Sequence, residues 1–227
     1  MRVRIFSALS SAALGLILVA SASEMRADQV FSNFAAGQTY SGVNWSNIGN
    51  ATNPNGIQVV AMPFMPSETA TLTGADLALA ITAGASTPLN LFLESSSGGT
   101  PGTILSTLTQ QGSMPIYPTT AVVNFTCSGG CATLDAGTTY WLVGQESDTA
   151  NTASWLQNIT GDNATWYFNL TNSTSGPWTE ASGTTLGAFD VTGDAVTPAV
   201  PEPASLALLG GGLVGIFVVA RRKVWKR

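Results

Sequence analysis

Apolar and polar residues alternate in short runs along the middle of the chain. Nine runs read as β-strands: Ile57 to Phe64, Ala75 to Thr82, Leu89 to Glu94, Thr103 to Thr109, Ala121 to Cys127, Thr139 to Gln145, Ser154 to Ile159, Thr165 to Leu170 and Gly187 to Val191. Leu77, Leu79 and Ile81 share one face of their run, and Leu89, Leu91 and Leu93 share one face of theirs, the period of two that a half-buried strand shows. No stretch sustains a helical period. Turn chemistry separates the runs: Ser97-Gly98-Gly99-Thr100-Pro101-Gly102 supplies residues that tolerate positive φ together with the fixed φ of Pro101, and Asp135-Ala136-Gly137 does the same before Tyr140. Many short strands at this spacing predict an all-β domain over residues 28–195, an antiparallel β-sandwich of the jelly-roll kind.

Both ends of the chain differ from this middle. Arg2 and Arg4 precede an apolar stretch from Ile5 to Ala20, and the small residues Ala20-Ser21-Ala22 follow. This is the pattern of a secretory signal peptide over residues 1–22, with cleavage after Ala22 or as late as Ala27. At the other end, residues 196–203 read as a linker that closes on Pro201-Glu202-Pro203. An uncharged apolar run from Ala204 to Ala220 comes next, then a basic cluster of Arg221, Arg222, Lys223, Lys226 and Arg227. A helix over residues 204–220 is about 25 Å long, at the short end of what crosses the hydrocarbon core of a bilayer. The basic residues of 221–227 stay cytoplasmic and stop transfer.

That order of elements resembles the PEP-CTERM sorting signal of Gram-negative bacteria. The resemblance implies recognition by an exosortase-type membrane processing enzyme and cleavage near Pro201, Glu202 and Pro203. The precursor would be anchored in the inner membrane, and its body would then pass to the cell surface or extracellular matrix.

Charge narrows the chemistry of that body. Of the eight Lys and Arg residues, three lie at or before Arg26 and five at or after Arg221, and the chain has no His. Eleven acidic residues, from Asp28 to Asp194, occupy the stretch between. The formal charge of −5 therefore conceals a purely anionic body. Nucleic acid is excluded as a partner, because its binding depends on Lys and Arg at the phosphates. No cofactor is predicted; divalent cations are the natural counter-ions, and calcium, which takes six to eight oxygen ligands, suits such an oxygen-rich surface. No particular residues mark a metal site.

Catalysis is constrained as well. Ser-His-Asp and Cys-His arrangements and lysine Schiff bases need side chains that the body lacks. A pair of carboxylates, as in glycoside hydrolysis, is the remaining route, and Glu146 with Asp148 and Asp190 with Asp194 are the closest pairs in sequence. Cys127 and Cys131 flank Ser128-Gly129-Gly130, and an exported route permits their oxidation to a disulfide across a tight turn.

A second resemblance lies in the body. Leu89-Asn90-Leu91-Phe92-Leu93-Glu94, then Gly98-Gly99-Thr100-Pro101-Gly102, then Leu134-Asp135-Ala136-Gly137-Thr138-Thr139-Tyr140-Trp141-Leu142 is similar to the choice-of-anchor R domain. That family implies an exported β-sandwich ahead of a C-terminal anchoring signal, and it supplies no catalytic residues.

Seven Asn-x-Ser/Thr triplets, at Asn44, Asn50, Asn124, Asn158, Asn163, Asn169 and Asn172, reflect a surface made of uncharged polar residues in place of Lys and Glu. Late in the body Trp155, Trp166, Tyr167, Phe168 and Trp178 gather. Trp and Tyr rings beside Asn, Asp and Gln suit stacking on sugar rings, so Trp155, Trp166, Tyr167 and Trp178 are the candidate glycan-binding residues. Trp166 and Tyr167, adjacent on a strand, must point to opposite faces.

The sequence therefore predicts a non-enzymatic, exported surface or matrix protein associated with extracellular polysaccharide. A carbohydrate-binding module built on the late aromatics is the second reading, and a carboxylate glycosidase the third.

Overall fold

The computed structural model describes residues 28–49, 56–147 and 150–196. The predicted signal peptide, the Pro-Glu-Pro linker after Val196, the transmembrane helix and the basic tail lie outside the described residues, as do Asn50 and Asp148.

Thirteen strands account for the regular structure: β1 (Asp28–Ser32), β2 (Trp45–Gly49), β3 (Val59–Phe64), β4 (Ala70–Ala83), β5 (Leu89–Ser97), β6 (Thr100–Gln110), β7 (Ala121–Cys127), β8 (Thr133–Leu134), β9 (Tyr140–Glu146), β10 (Thr152–Leu156), β11 (Asn163–Asn169), β12 (Thr179–Thr185) and β13 (Phe189–Ala195). The all-β, antiparallel expectation holds: every ladder between these strands is antiparallel. The main path runs β1-β13-β4-β7-β6-β5-β9-β3-β11-β12, while β8 and β10 also pair with β4 and β2 pairs with β10.

The sheet returns on itself. The fourteen-residue β4 pairs with β13 along its first part and with β10 along its last, and β10 carries β2. Gly49 at the end of β2 then exchanges two backbone hydrogen bonds with Gln58, just before β3, at 2.8 and 3.0 Å. A side chain at Gly49 would be strained at its φ of +110°, and its Cβ would lie 2.3 Å from the Asn151 carbonyl oxygen.

Folding the sheet over puts the two leucine faces into one core. Leu77, Leu79 and Ile81 of β4 and Leu89, Leu91 and Leu93 of β5 belong to a single buried cluster with Val60, Met62, Phe125, Leu142, Trp155 and Phe189. Two smaller clusters lie on the outside of the sheet. One joins Ala78, Ala80, Leu156 and Ala188 beneath Phe34, Tyr40 and Trp45. The other joins Val59, Ala61, Trp141 and Val143 beneath Phe92, Tyr167 and Trp178.

Cys127 and Cys131 form the expected disulfide, with Cα atoms 5.9 Å apart, and both pack on the main core. The turn they close leads to Ala132, whose N–H donates to Ser106 Oγ and whose carbonyl accepts from the Leu72 N–H, each at 2.9 Å. The bridge thus helps to direct β8 onto β4. A loop this short restrains the unfolded chain only modestly, by about 2 kcal/mol in the chain-entropy treatment. The double variant Cys127→Ser/Cys131→Ser is expected to lose about that much, seen as a lower urea midpoint with an unchanged slope. An unchanged midpoint would assign the turn's stability to the ladder alone.

Candidate functional site

Strand alternation builds the site. Because Leu89, Leu91 and Leu93 face the core, Asn90, Phe92 and Glu94 of β5 face outward. By the same rule Trp141, Val143 and Gln145 of β9 and Val59, Ala61 and Pro63 of β3 face outward, since Tyr140, Leu142, Val60, Met62 and Phe64 face in. The registers align these positions: Phe92 is opposite Val143 and Glu94 opposite Trp141, Val143 is opposite Ala61, and Ala61 is opposite Tyr167 of β11. Beyond β11, the exposed Glu180 of β12 lies opposite Tyr167.

The result is a five-strand outer face, β5-β9-β3-β11-β12, with an apolar floor of Val59, Ala61, Trp141 and Val143 and three partly exposed rings, Phe92, Tyr167 and Trp178, packed on it. The Trp141 and Tyr167 rings meet edge to face at 5.4 Å. Polar groups border the rings. Asn90 is exposed, and Gln145 Nε2 donates to the backbone carbonyl and the Oδ1 of Asn172 at 2.8 and 2.9 Å.

Three polar groups of this face are buried and, among the described residues, have no hydrogen-bond partner: both carboxyl oxygens of Glu94, the Trp141 Nε1–H and the Trp178 Nε1–H. Glu94 is 0% exposed, and no Lys, Arg or His exists between Arg26 and Arg221 to pair with it. Burial alone pushes its carboxyl from an ordinary 4.5 up to about 7.

The predicted aromatic residues separate. Trp155 corrects the expectation: it is 0% exposed in the main core, its Nε1–H donates to the Ala188 carbonyl at 3.1 Å, and its ring meets Phe189 at 5.5 Å. It has no face to offer a sugar. Trp166 turns toward the main core, packs beside Phe168 with ring centres 5.8 Å apart, and donates to Thr184 Oγ1. Tyr167 and Trp178 lie on the outer face, so Trp166 and Tyr167 do point to opposite sides. Sequence reasoning missed Phe92, Glu94 and Trp141 as members of the site. Their signal was present, because each occupies the alternate position beside inward-facing leucines or Tyr140.

Of the predicted carboxylate pairs, Glu146 with Asp148 lies partly outside the described residues, and Asp190 with Asp194 is not the pair the fold assembles. Glu146 is 1% exposed and accepts from Thr87 Oγ1 at 3.1 Å. Asp190 stands opposite Asp76 of β4, whereas Asp194 stands opposite Thr71, beyond a bulge at Thr192 and Gly193. Burial, and then the charge of Asp76, raise the Asp190 pKa against the lowering effect of hydrogen bonds from Gln29, Gln38 and the Asp76 N–H. Among the described residues no group of three or more Asp, Glu, Cys or His is placed to hold a metal ion.

Two of the Asn-x-Thr asparagines are structural. Asn158 Nδ2 donates to the carbonyls of Asp162 and Leu186 at 2.8 and 2.9 Å, and Asn169 Oδ1 accepts from the N–H of Thr171 at 3.1 Å, so each pins a turn.

Away from this face, a concavity of about 230 Å³ opens between Phe31, Pro63, Phe64, Met65, Thr139, Asp162, Ala164 and Leu186. Its walls are mainly apolar, and its one carboxylate, Asp162, already accepts from Asn33 Nδ2 at 3.3 Å. It offers few groups to orient a ligand.

Beyond the described body, the tail carries the order of elements set out above. Residues 199–223 match the PEP-CTERM protein-sorting motif. The match takes in Pro201, Glu202, Pro203, Arg221, Arg222 and Lys223. No curated protein matches the chain. A PEP-CTERM signal marks an exported, membrane-anchored precursor that an exosortase, a membrane enzyme, recognises and processes for the cell surface.

The body ends close to that signal. The Val196 N–H donates to the Thr69 carbonyl at 3.1 Å, three residues before the matched segment begins. The opening strand is there too, since Asp28 of β1 is opposite Gly193 of β13. Cleavage anywhere within the matched segment would therefore leave every described ladder intact.

Proposed function

We propose that this is a non-enzymatic surface or extracellular-matrix protein of a Gram-negative bacterium. Its outer aromatic face associates with extracellular polysaccharide once the tail has been processed. The observation that carries the reading is the row of partly exposed Phe92, Tyr167 and Trp178 on one sheet face, bordered by Asn90, Gln145 and Glu180. Rings of this kind stack on the C–H faces of sugars while neighbouring amides and carboxylates meet the hydroxyls.

The burial of Glu94, Glu146 and Asp190, at 0, 1 and 3% exposure, supports a non-enzymatic role, because none of the three presents its carboxylate to a bound chain. In this reading the body is a jelly-roll-like sandwich of the choice-of-anchor R kind, and divalent cations such as calcium screen its carboxylates. A carbohydrate-binding module with one defined site is the narrower form of the same idea, on Tyr167 and Trp178 rather than Trp155.

Affinity electrophoresis through gels containing soluble polysaccharides tests the reading. Retardation by at least one polysaccharide is expected, and Tyr167→Ala and Trp178→Ala should each weaken it about tenfold, the scale of one lost stacking contact. Unretarded migration through every gel would remove polysaccharide association.

A further inference from the structure

Resting on the polysaccharide reading, we propose that the ligand of the outer face is an uncharged polysaccharide and that the face rejects polyuronates and sulfated glycans. The first ground is what the body lacks. Between Arg26 and Arg221 there is no Lys or Arg, and the chain has no His, so a ligand carboxylate or sulfate placed on the rings would lose water without gaining a counter-charge.

The second ground is what the face contains. Glu180 is exposed directly opposite Tyr167. A ligand anion stacked on that ring meets a like charge and is repelled.

The test uses the full chain in mild detergent with EDTA at fixed ionic strength. Retardation is compared in gels containing a neutral galactomannan, a neutral β-glucan, alginate or dextran sulfate. Expected is retardation by at least one neutral polymer, weakened about tenfold in Trp178→Ala, and none by alginate or dextran sulfate. Glu180→Lys, a change at an exposed position, should gain alginate binding. Alginate or dextran sulfate binding the unaltered chain as tightly as the neutral polymers, through Trp178, would overturn the proposed selectivity and leave polysaccharide association standing. Failure of Glu180→Lys to gain alginate binding would also count against it, because charge would then not be the discriminator. Absence of binding to all four polymers would overturn both readings.

Discussion

Raising the pH from about 4 to about 8 is expected to cost the body on the order of 3 kcal/mol of stability through Glu94 alone. In the folded chain its carboxyl titrates at about 7, against an ordinary value of 4.5. Below the lower value the group is protonated in both states and contributes no penalty. Between the two values the unfolded chain releases the proton and the folded chain holds it, so stability falls steadily as pH rises. Above the folded value the loss is complete. No cation in the body can offset the charge once it forms.

Urea midpoints measured from pH 4 to 8 should therefore decline, and Glu94→Gln should flatten much of the decline while leaving the variant the more stable protein at pH 8. Asp190, also raised, adds a residual slope of the same sign. A Glu94→Gln curve parallel to the wild type would move the effect elsewhere.

Trp155→Ala should be more damaging at any pH, by about 3 to 5 kcal/mol, the usual cost of emptying a large aromatic site in a packed core. The ring is 0% exposed, stacks edge to face on Phe189, and uses its one N–H on the Ala188 carbonyl. Gly187 shows how tightly the ring is held, because a Cβ there would lie 2.5 Å from both Cδ1 and Nε1 of Trp155. Gly187→Ala should accordingly destabilise by about 1 to 3 kcal/mol through overpacking. Chemical denaturation of both variants checks these values. If Trp155→Ala cost less than about 1 kcal/mol, the ring would not be the core element its burial indicates.

Tyr167→Ala, on the outer face, provides the contrast. Its main effect should fall on polysaccharide retention rather than on the midpoint.

The inward faces were legible because they depend on period-two alternation alone. Leu77, Leu79, Ile81, Leu89, Leu91 and Leu93 all enter the core as read. Strand ends were less so. β13 extends through Ala195, past the predicted end at Val191, because Asp190 to Ala195 are held by pairing with β4 rather than by any pattern of their own. β12, Thr-Glu-Ala-Ser-Gly-Thr-Thr, has no apolar period, and only its ladder to β11 makes it a strand.

The candidate site was hidden for a related reason. A glutamate closing the run Leu89 to Glu94 reads as a solvated end, yet on the folded sheet its neighbour is Trp141, and that proximity depends on a register between segments almost fifty residues apart. The Asp76–Asp190 pair depends on a longer separation still. Trp155 failed as a binding residue because composition places a ring near polar residues without saying which side of the sheet it takes.

The place of β13 between β1 and β4 also decides how the protein would respond to mechanical load. Its outgoing end at Ala195 lies beside the incoming end of β1, so tension between the two termini would unzip their shared rungs one at a time. Tension directed along β13 would instead load its rungs to β1 and β4 together, because ladder hydrogen bonds run perpendicular to the strands.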